Sequence, residues 1–296
     1  MFSTSAFIAL STLCCVLVQA HSMDDPDFIL FQNYLFQHGK AYDEGLLEKR
    51  FSAFRQNLVL IEQQNAAEKA AGGTAVYGLT EFSDLTPEEF NNLYLTHNMD
   101  AGKPEILVDP ESYVGSSTSV NWFGVLTAPV IRYQGGCGSC YAVSTVEQVE
   151  SDSIRLLGLR KNVQLSAQQV TSCSDPPNLG CGGGTVNNAY GYMANGIAPE
   201  NSYPYTSAST VQTGACTSNP SNYIISVPTY QYLSQNEAAI ANYLLTTGPL
   251  NAQVCATSWP NYVSGVVTQC GTCINHAVQI VGIDLVNNYY IVSNCL

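Results

Sequence analysis

The cysteines divide this chain before any other feature does. It has 296 residues and 11 cysteines; Cys14 and Cys15 stand near the start, and the other nine all lie beyond residue 136. The acidic segment before them has none, and in an oxidising compartment most of the nine should pair. Nine is odd, so at least one thiol stays unpaired or bonds outside the chain. Charge is spread unevenly too, and its asymmetry suggests two units with different jobs. Residues 21–118 hold 16 acids and 6 bases, a net of −10, whereas residues 119–296 hold 7 acids and 4 bases, a net of −3. One domain with an acidic face is the plainer explanation; the motifs below favour two units. With a total of −13 and no basic stripe, the chain is not a nucleic-acid binder.

The first twenty residues read as a signal peptide. Phe7 to Val18 is apolar and Val18-Gln19-Ala20 offers a small-residue cleavage site. The n-region lacks Lys and Arg, and a membrane anchor is the rival reading, but the apolar run is too short to span a bilayer. The expected compartment is the secretory pathway, ending in a lysosome-like vacuole or outside the cell. No later stretch reaches spanning length.

From Pro26 to Lys69 the apolar residues Phe28, Phe31, Leu35, Phe51, Phe54, Leu58 and Ile61 recur at helical spacing, with Gly39 and Gly45 as punctuation between two helices. Thr86-Pro87-Glu88-Glu89 is a helix start. Residues 100–119 read as a linker. Beyond it, Cys140 to Leu157 reads as a long helix, Ser166 and Ser234 as further helix caps, and Gly196 and Gly248 as stops. Ile224–Tyr232, Leu250–Cys255, Ala277–Ile283 and Tyr289–Ser293 read as strands. Helices first and strands later imply an α+β layout in two lobes.

The chemistry starts from scarcity. Of four histidines only His276 lies beyond residue 97, so it is the natural general base of the second unit, at the mouth of an apolar strand. A structural role is the commoner fate of a single His. Gln134-Gly135-Gly136-Cys137-Gly138-Ser139-Cys140-Tyr141-Ala142 combines a glycine loop with a Cys at a helix start, where exposed N–H groups and the helix dipole favour a thiolate. The plainer alternative, that Cys137 and Cys140 are both bridged, leaves the glycines unexplained. Cys270-x-x-Cys273-x-x-His276 has ligand-like spacing, so zinc is a rival there, though it would consume the one available base.

Cys137-Gly138-Ser139-Cys140-Tyr141, with His276 lying 136 residues on and Asn294 after Tyr289-Tyr290-Ile291-Val292-Ser293, resembles the papain/cathepsin cysteine peptidases over nearly the whole chain. The resemblance implies a papain-like two-lobe fold, with a helical left lobe and an antiparallel β-barrel-like right lobe, preceded by a helical propeptide domain. It divides the chain into a signal peptide (1–20), an inhibitory propeptide (21–118) and a peptidase domain (119–296). It further implies Cys140 as nucleophile, His276 as acid and base, Asn294 as the group orienting the imidazole, and Gln134 as oxyanion donor beside the Cys140 N–H. Gly183 and Gly184 would bind substrate backbone. Cys137–Cys181 and Cys173–Cys216 are the implied disulfides, with Cys255, Cys270, Cys273 and Cys295 unassigned. No metal or other cofactor is implied.

Before the linker, Arg50-x3-Phe54-x2-Asn57-x3-Ile61-x3-Asn65 and Gly78-x-Thr80-x-Phe82-x-Asp84 resemble the two motifs of the family's propeptide, with Leu46 and Thr80 as departures. The segment is expected to dock over the cleft and loosen in acid as carboxylates protonate. Other departures are Tyr141 where Trp is usual and Asn275 where Asp is common. Past Asn294 the resemblance calls for a Ser-Trp-Gly run and more strands, whereas the sequence stops at Cys295-Leu296. The expectation is therefore a right lobe incomplete at its C-terminus, without the Trp that shields the Asn–His pair. The function implied is that of a cysteine-type endopeptidase zymogen, activated by propeptide removal in acid at a cut near residues 115–119. Peptide and protein substrates, its own propeptide and cystatin-like inhibitors are its partners, and it acts as a monomer. The alternatives are a catalytically impaired relative that binds peptides or inhibits a protease, and a disulfide-stapled structural protein in which Cys140 is bridged.

Overall fold

The computed structural model describes residues 25–95, 107–108, 115–174 and 176–296. The expected signal peptide, His21, His97 and most of the linker lie outside these residues.

The N-terminal unit is built on two helices, α1 (Pro26–Gln37) and α2 (Glu44–Ala70). Aspartates start both: Asp25 Oδ1 accepts from the Asp27 N–H and Asp43 Oδ1 from the Leu46 N–H. Gly39 makes the turn between them at φ 61°, a left-handed conformation natural to glycine, while Gly45 lies inside the first turn of α2 rather than between the helices. The apolar stripes meet in a core of Phe31, Tyr34, Phe51 and Phe54. The two-residue strand β1 (Val76–Tyr77) and helix α3 (Pro87–Tyr94) complete the unit. Helix α3 opens on the expected capping box, Thr86 accepting from the Glu89 N–H and Glu89 from the Thr86 N–H.

The motif residues earn their places by hydrogen bonding. Asn57 is buried, its amide nitrogen donating to the carbonyls of Ala53, Ser83 and Leu85. Asn65 pairs with both backbone groups of Tyr77 at 2.8 and 2.9 Å. Arg50 donates to the Asp84 carbonyl and to Glu89, and the buried carboxylate of Asp84 receives Lys40, Tyr34 and Tyr42.

The short strands β2 (Leu107–Val108) and β4 (Tyr232–Leu233) pair in parallel, and β3 (Ser119–Asn121) enters the second unit. There helix α4 (Cys140–Leu157), α5 (Ala167–Cys173), α6 (Val186–Met193) and the single turn α7 (Ser207–Thr210) form the helical lobe. Helix α8 (Glu237–Thr246) leads into β5 (Leu250–Val254), β6 (Tyr262–Ser264), β7 (His276–Asp284) and β8 (Tyr289–Ser293). The nearly all-buried β7 is the spine of a four-stranded antiparallel sheet. It pairs with β5 along its first half, with β3 along its second and with β8 on its other edge. This sheet is open; no closed barrel forms among the described residues.

Two sequence expectations fail locally. Ile224–Tyr232 is not one strand: only Tyr232 enters a strand, β4, while Ile225 makes one bridge to Ile197 and the Val227 N–H donates to the Met193 carbonyl, so most of the run covers the end of α6. The cap of α8 is Asn236, not Ser234. The lobes join where α4 packs on β7; Gln279 donates to Ser151 at 2.9 Å, and Cys140, Ala277 and Cys295 share one buried cluster.

Candidate active site

Cys140 is the first residue of α4 and fully buried, and it stands outside the three disulfides. Its loop is fixed at several points. Cys137 is bridged to Cys181, and the Gly138 N–H donates to the Cys181 carbonyl. A side chain at Gly138 would meet that carbonyl at 2.8 Å, so only glycine allows the approach. The same bridge brings up Gly183 (φ 106°) and Gly184, where a Cβ would strike Asn178 and the Tyr141 ring. Cys173 is bridged to Cys216. Upstream, Arg132 ties the loop to α4 through Glu150 at 2.5 Å and to the segment before α5 through the Leu165 carbonyl.

His276 opens β7, and Asn294 follows the last residue of β8. Because β7 and β8 are hydrogen-bonded neighbours, the two side chains meet: His276 Nε2 lies 2.8 Å from Asn294 Oδ1. An amide oxygen only accepts, so Nε2 carries the proton of this bond. The other ring nitrogen, Nδ1, is buried with no hydrogen-bond partner. Asn275 orders the approach, its Oδ1 accepting from the Ala256 N–H. The tryptophan expected after Asn294 is not in the sequence, but another, Trp259 between β5 and β6, packs edge to face on His276 with centroids 5.9 Å apart.

Gln134 is buried and fully engaged. Its Nε2 donates to the Cys137 carbonyl at 3.0 Å and, at 2.7 Å, to the carbonyl of Tyr94 at the end of α3. Its Oε1 accepts from the Cys295 thiol at 3.1 Å. Burial holds the pKa of that thiol well above its ordinary value, and Cys140 and Glu147 add to the effect. The N-terminal unit is therefore bonded into the side chain that the sequence singled out as an oxyanion donor. Around Tyr94, Phe90 and Leu95 are buried against Ala256.

The same unit docks along the loop from 258 to 269. Strand β1 pairs with β6, Gln64 donates to the Ser258 carbonyl, Thr80 to the Pro260 carbonyl, and Asn261 to Asn57. At the far end of α2 the buried Glu68 carboxylate receives the N–H groups of Thr268 and Gln269 and the Thr268 hydroxyl. Burial alone would raise the Glu68 pKa, but these hydrogen bonds outweigh it and hold the carboxyl below its usual range.

The ligand-like spacing of Cys270, Cys273 and His276 is not assembled: Cys273 is bridged to Cys255, Cys270 is exposed, and His276 faces Asn294. Among the described residues no cluster could hold a metal ion, and no helix is long and apolar enough to cross a membrane. Sequence reasoning missed Tyr94, Tyr205, Trp259, Glu68 and the role of Cys295. Only Cys295 carried a sequence signal, a cysteine directly after Asn294.

Residues 117–295 match the Papain family cysteine protease family, and residues 31–90 match the Cathepsin propeptide inhibitor domain (I29). Cysteine proteinase 1 of Dictyostelium discoideum is 29% identical over 92% of this chain and 84% of its own. The viral cathepsin of Orgyia pseudotsugata multicapsid polyhedrosis virus is 30% identical over 97% of this chain and 89% of its own. Among solved structures, digestive procathepsin L2 proteinase from the Tenebrio molitor larval midgut superposes with a TM-score of 0.77 at 27% identity. The match covers 91% of this chain and 90% of that one.

Proposed function

The chain belongs to the papain family of cysteine proteases and carries a cathepsin propeptide inhibitor domain, and from that premise we propose a division of labour among its residues. It is a cysteine endopeptidase zymogen. Residues 21–118 are the inhibitory part and residues 119–296 the peptidase part. The Cys140 thiolate attacks the scissile carbonyl, and the oxygen that becomes negative is held by Gln134 Nε2 and the Cys140 N–H. His276 delivers a proton from Nδ1 to the departing amine, then takes one from the water that opens the acyl-enzyme. Asn294 holds the imidazole in plane through Nε2. Gly183 and Gly184 present backbone to an extended substrate.

The observation that carries this reading is the His276–Asn294 pair, one ring nitrogen fixed at 2.8 Å and the other buried and unpartnered. Inhibition follows from the Tyr94 carbonyl: it takes the Gln134 Nε2 hydrogen that the oxyanion needs, so that donor is occupied until the N-terminal unit leaves. Three disulfides suit an oxidising compartment, and we place the enzyme in a lysosome-like vacuole or outside the cell, as a monomer open to cystatin-like inhibitors. The test is hydrolysis of a peptidyl amide after propeptide removal. His276→Ala is expected to lose turnover by about a thousandfold or more; unchanged turnover would remove His276 from the mechanism.

A further inference from the structure

The oxyanion donor is gripped from two sides by residues with no assigned role. On one side is Tyr205, which is partly buried and follows Pro204 between the Glu200–Ser202 turn and α7. Its hydroxyl donates to the Gln134 carbonyl at 3.0 Å and lies within hydrogen-bond reach of Ser139 Oγ. A phenol has one proton, and here it goes to Gln134, so Ser139 points its own proton at the phenol oxygen. Tyr205 thus spans the loop from Gln134 to the residue just before Cys140. Those two ends carry the side-chain donor and the backbone donor of the proposed oxyanion site.

On the other side is Cys295. Its carbonyl accepts the Gln134 N–H at 2.7 Å, and its thiol donates to Gln134 Oε1 at 3.1 Å. This second bond decides which way the amide faces. A flipped amide would turn Oε1 toward the carbonyls of Cys137 and Tyr94 and its NH₂ toward the sulfur. The observed orientation gives Nε2 two carbonyl acceptors and Oε1 a donor. When the propeptide leaves, the Tyr94 carbonyl goes with it, and one Nε2 hydrogen is left aimed into the cleft. Both gripping groups keep their protons at working pH, because burial raises the pKa of the Tyr205 phenol and of the Cys295 thiol.

We infer that Tyr205 and Cys295 are positioning residues that hold the two oxyanion donors in place, Tyr205 by bridging Gln134 to Ser139 and Cys295 by fixing the orientation of the Gln134 amide. This rests on the proposed role of Gln134. Oxyanion stabilisation depends on donors fixed before the charge develops, so loosening the donor should slow hydrolysis without weakening substrate binding.

The experiment uses the full chain, activated by propeptide removal, in a Cys270→Ser background that silences the exposed thiol. Three quantities are read: kcat and KM on a peptidyl amide, affinity for a peptidyl aldehyde, whose adduct places an oxygen in the site, and the rate of alkylation by iodoacetamide, which needs the thiolate but forms no oxyanion. Tyr205→Phe and Cys295→Ala are expected each to lower kcat and aldehyde affinity about tenfold, a fraction of the hundredfold expected for removal of the donor itself in Gln134→Ala. KM and the alkylation rate are expected to hold within about twofold. Cys295→Ser restores a donor and recovers most of the loss. Full kcat in both Tyr205→Phe and Cys295→Ala, with Gln134→Ala slow, overturns the inference alone. Hydrolysis and alkylation falling together also overturns it, because the defect then lies in the nucleophile or the fold. Full kcat in Gln134→Ala removes the reading on which it rests.

Discussion

Gln134 Nε2 donates to the backbone carbonyl of Tyr94 across 2.7 Å, so the propeptide and the proposed transition-state oxygen compete for one hydrogen. On the proposed role of Gln134, the same side chain serves inhibition and catalysis. Gln134→Ala should cut turnover of the activated enzyme about a hundredfold. It should also weaken inhibition by added propeptide about tenfold, the effect of one lost hydrogen bond. Inhibition assays with the separate propeptide, run beside kcat, check the coupling. A variant slow in hydrolysis yet inhibited as tightly as wild type would break it.

Glu68 should set part of the acid response. Docked, its carboxyl lies below the usual range; released, it returns to the ordinary carboxylate value. Its contribution to docking is complete above the ordinary value and is lost as pH falls through the lowered docked one. Glu68→Gln should weaken inhibition about tenfold at neutral pH and flatten its decline in acid. Glu89 behaves differently. Burial raises it, but Lys49, the Thr86 N–H and Arg50 bring it down to about 2, so helix α3 keeps its cap through the same acid range. Inhibition measured from pH 7 to pH 3.5 distinguishes the two. An unchanged slope in Glu68→Gln would move the acid response to other groups.

Asn294→Ala should lower kcat by on the order of a hundredfold with little change in KM, because it frees the ring held at 2.8 Å without touching substrate. Steady-state kinetics on the activated enzyme check this.

Thiol accessibility should follow burial. Cys270 is exposed, whereas Cys140 and Cys295 are buried. Among the cysteines from Cys137 onward, a mild thiol reagent should find one reactive group in the precursor and two after propeptide removal, each count falling by one in Cys270→Ser.

How much of this was written in the sequence depends on contact range. Helix Cys140–Leu157 and strand Tyr289–Ser293 were readable because their periodicity and boundary residues are local. The Thr86 capping box was readable for the same reason. Ile224–Tyr232 misled because β-branched and aromatic residues favour any half-buried surface, here the end of α6 rather than a sheet. Ser234 and Asn236 are both good caps, and only the packed position of α8 selects Asn236. The candidate nucleophile and base stand out in the residues themselves, and the candidate orienting amide and oxyanion donor follow from the resemblance to the papain/cathepsin peptidases. The groups that hold them were not. Tyr205 reaches Gln134 across 71 residues, Cys295 across 161, and Glu68 reaches Thr268 across 200. Such pairs leave no local pattern.

We propose Cys140 as the nucleophile of a zymogen that becomes competent when its propeptide leaves. The direct measurement is labelling of the acidified precursor by a cysteine-directed peptidyl epoxide, located by peptide mapping, beside Cys140→Ser. The expected result is stoichiometric modification of Cys140 after propeptide removal, little before it, and none in Cys140→Ser. A soluble, propeptide-free chain that takes no label, or one labelled equally in Cys140→Ser, would contradict the account.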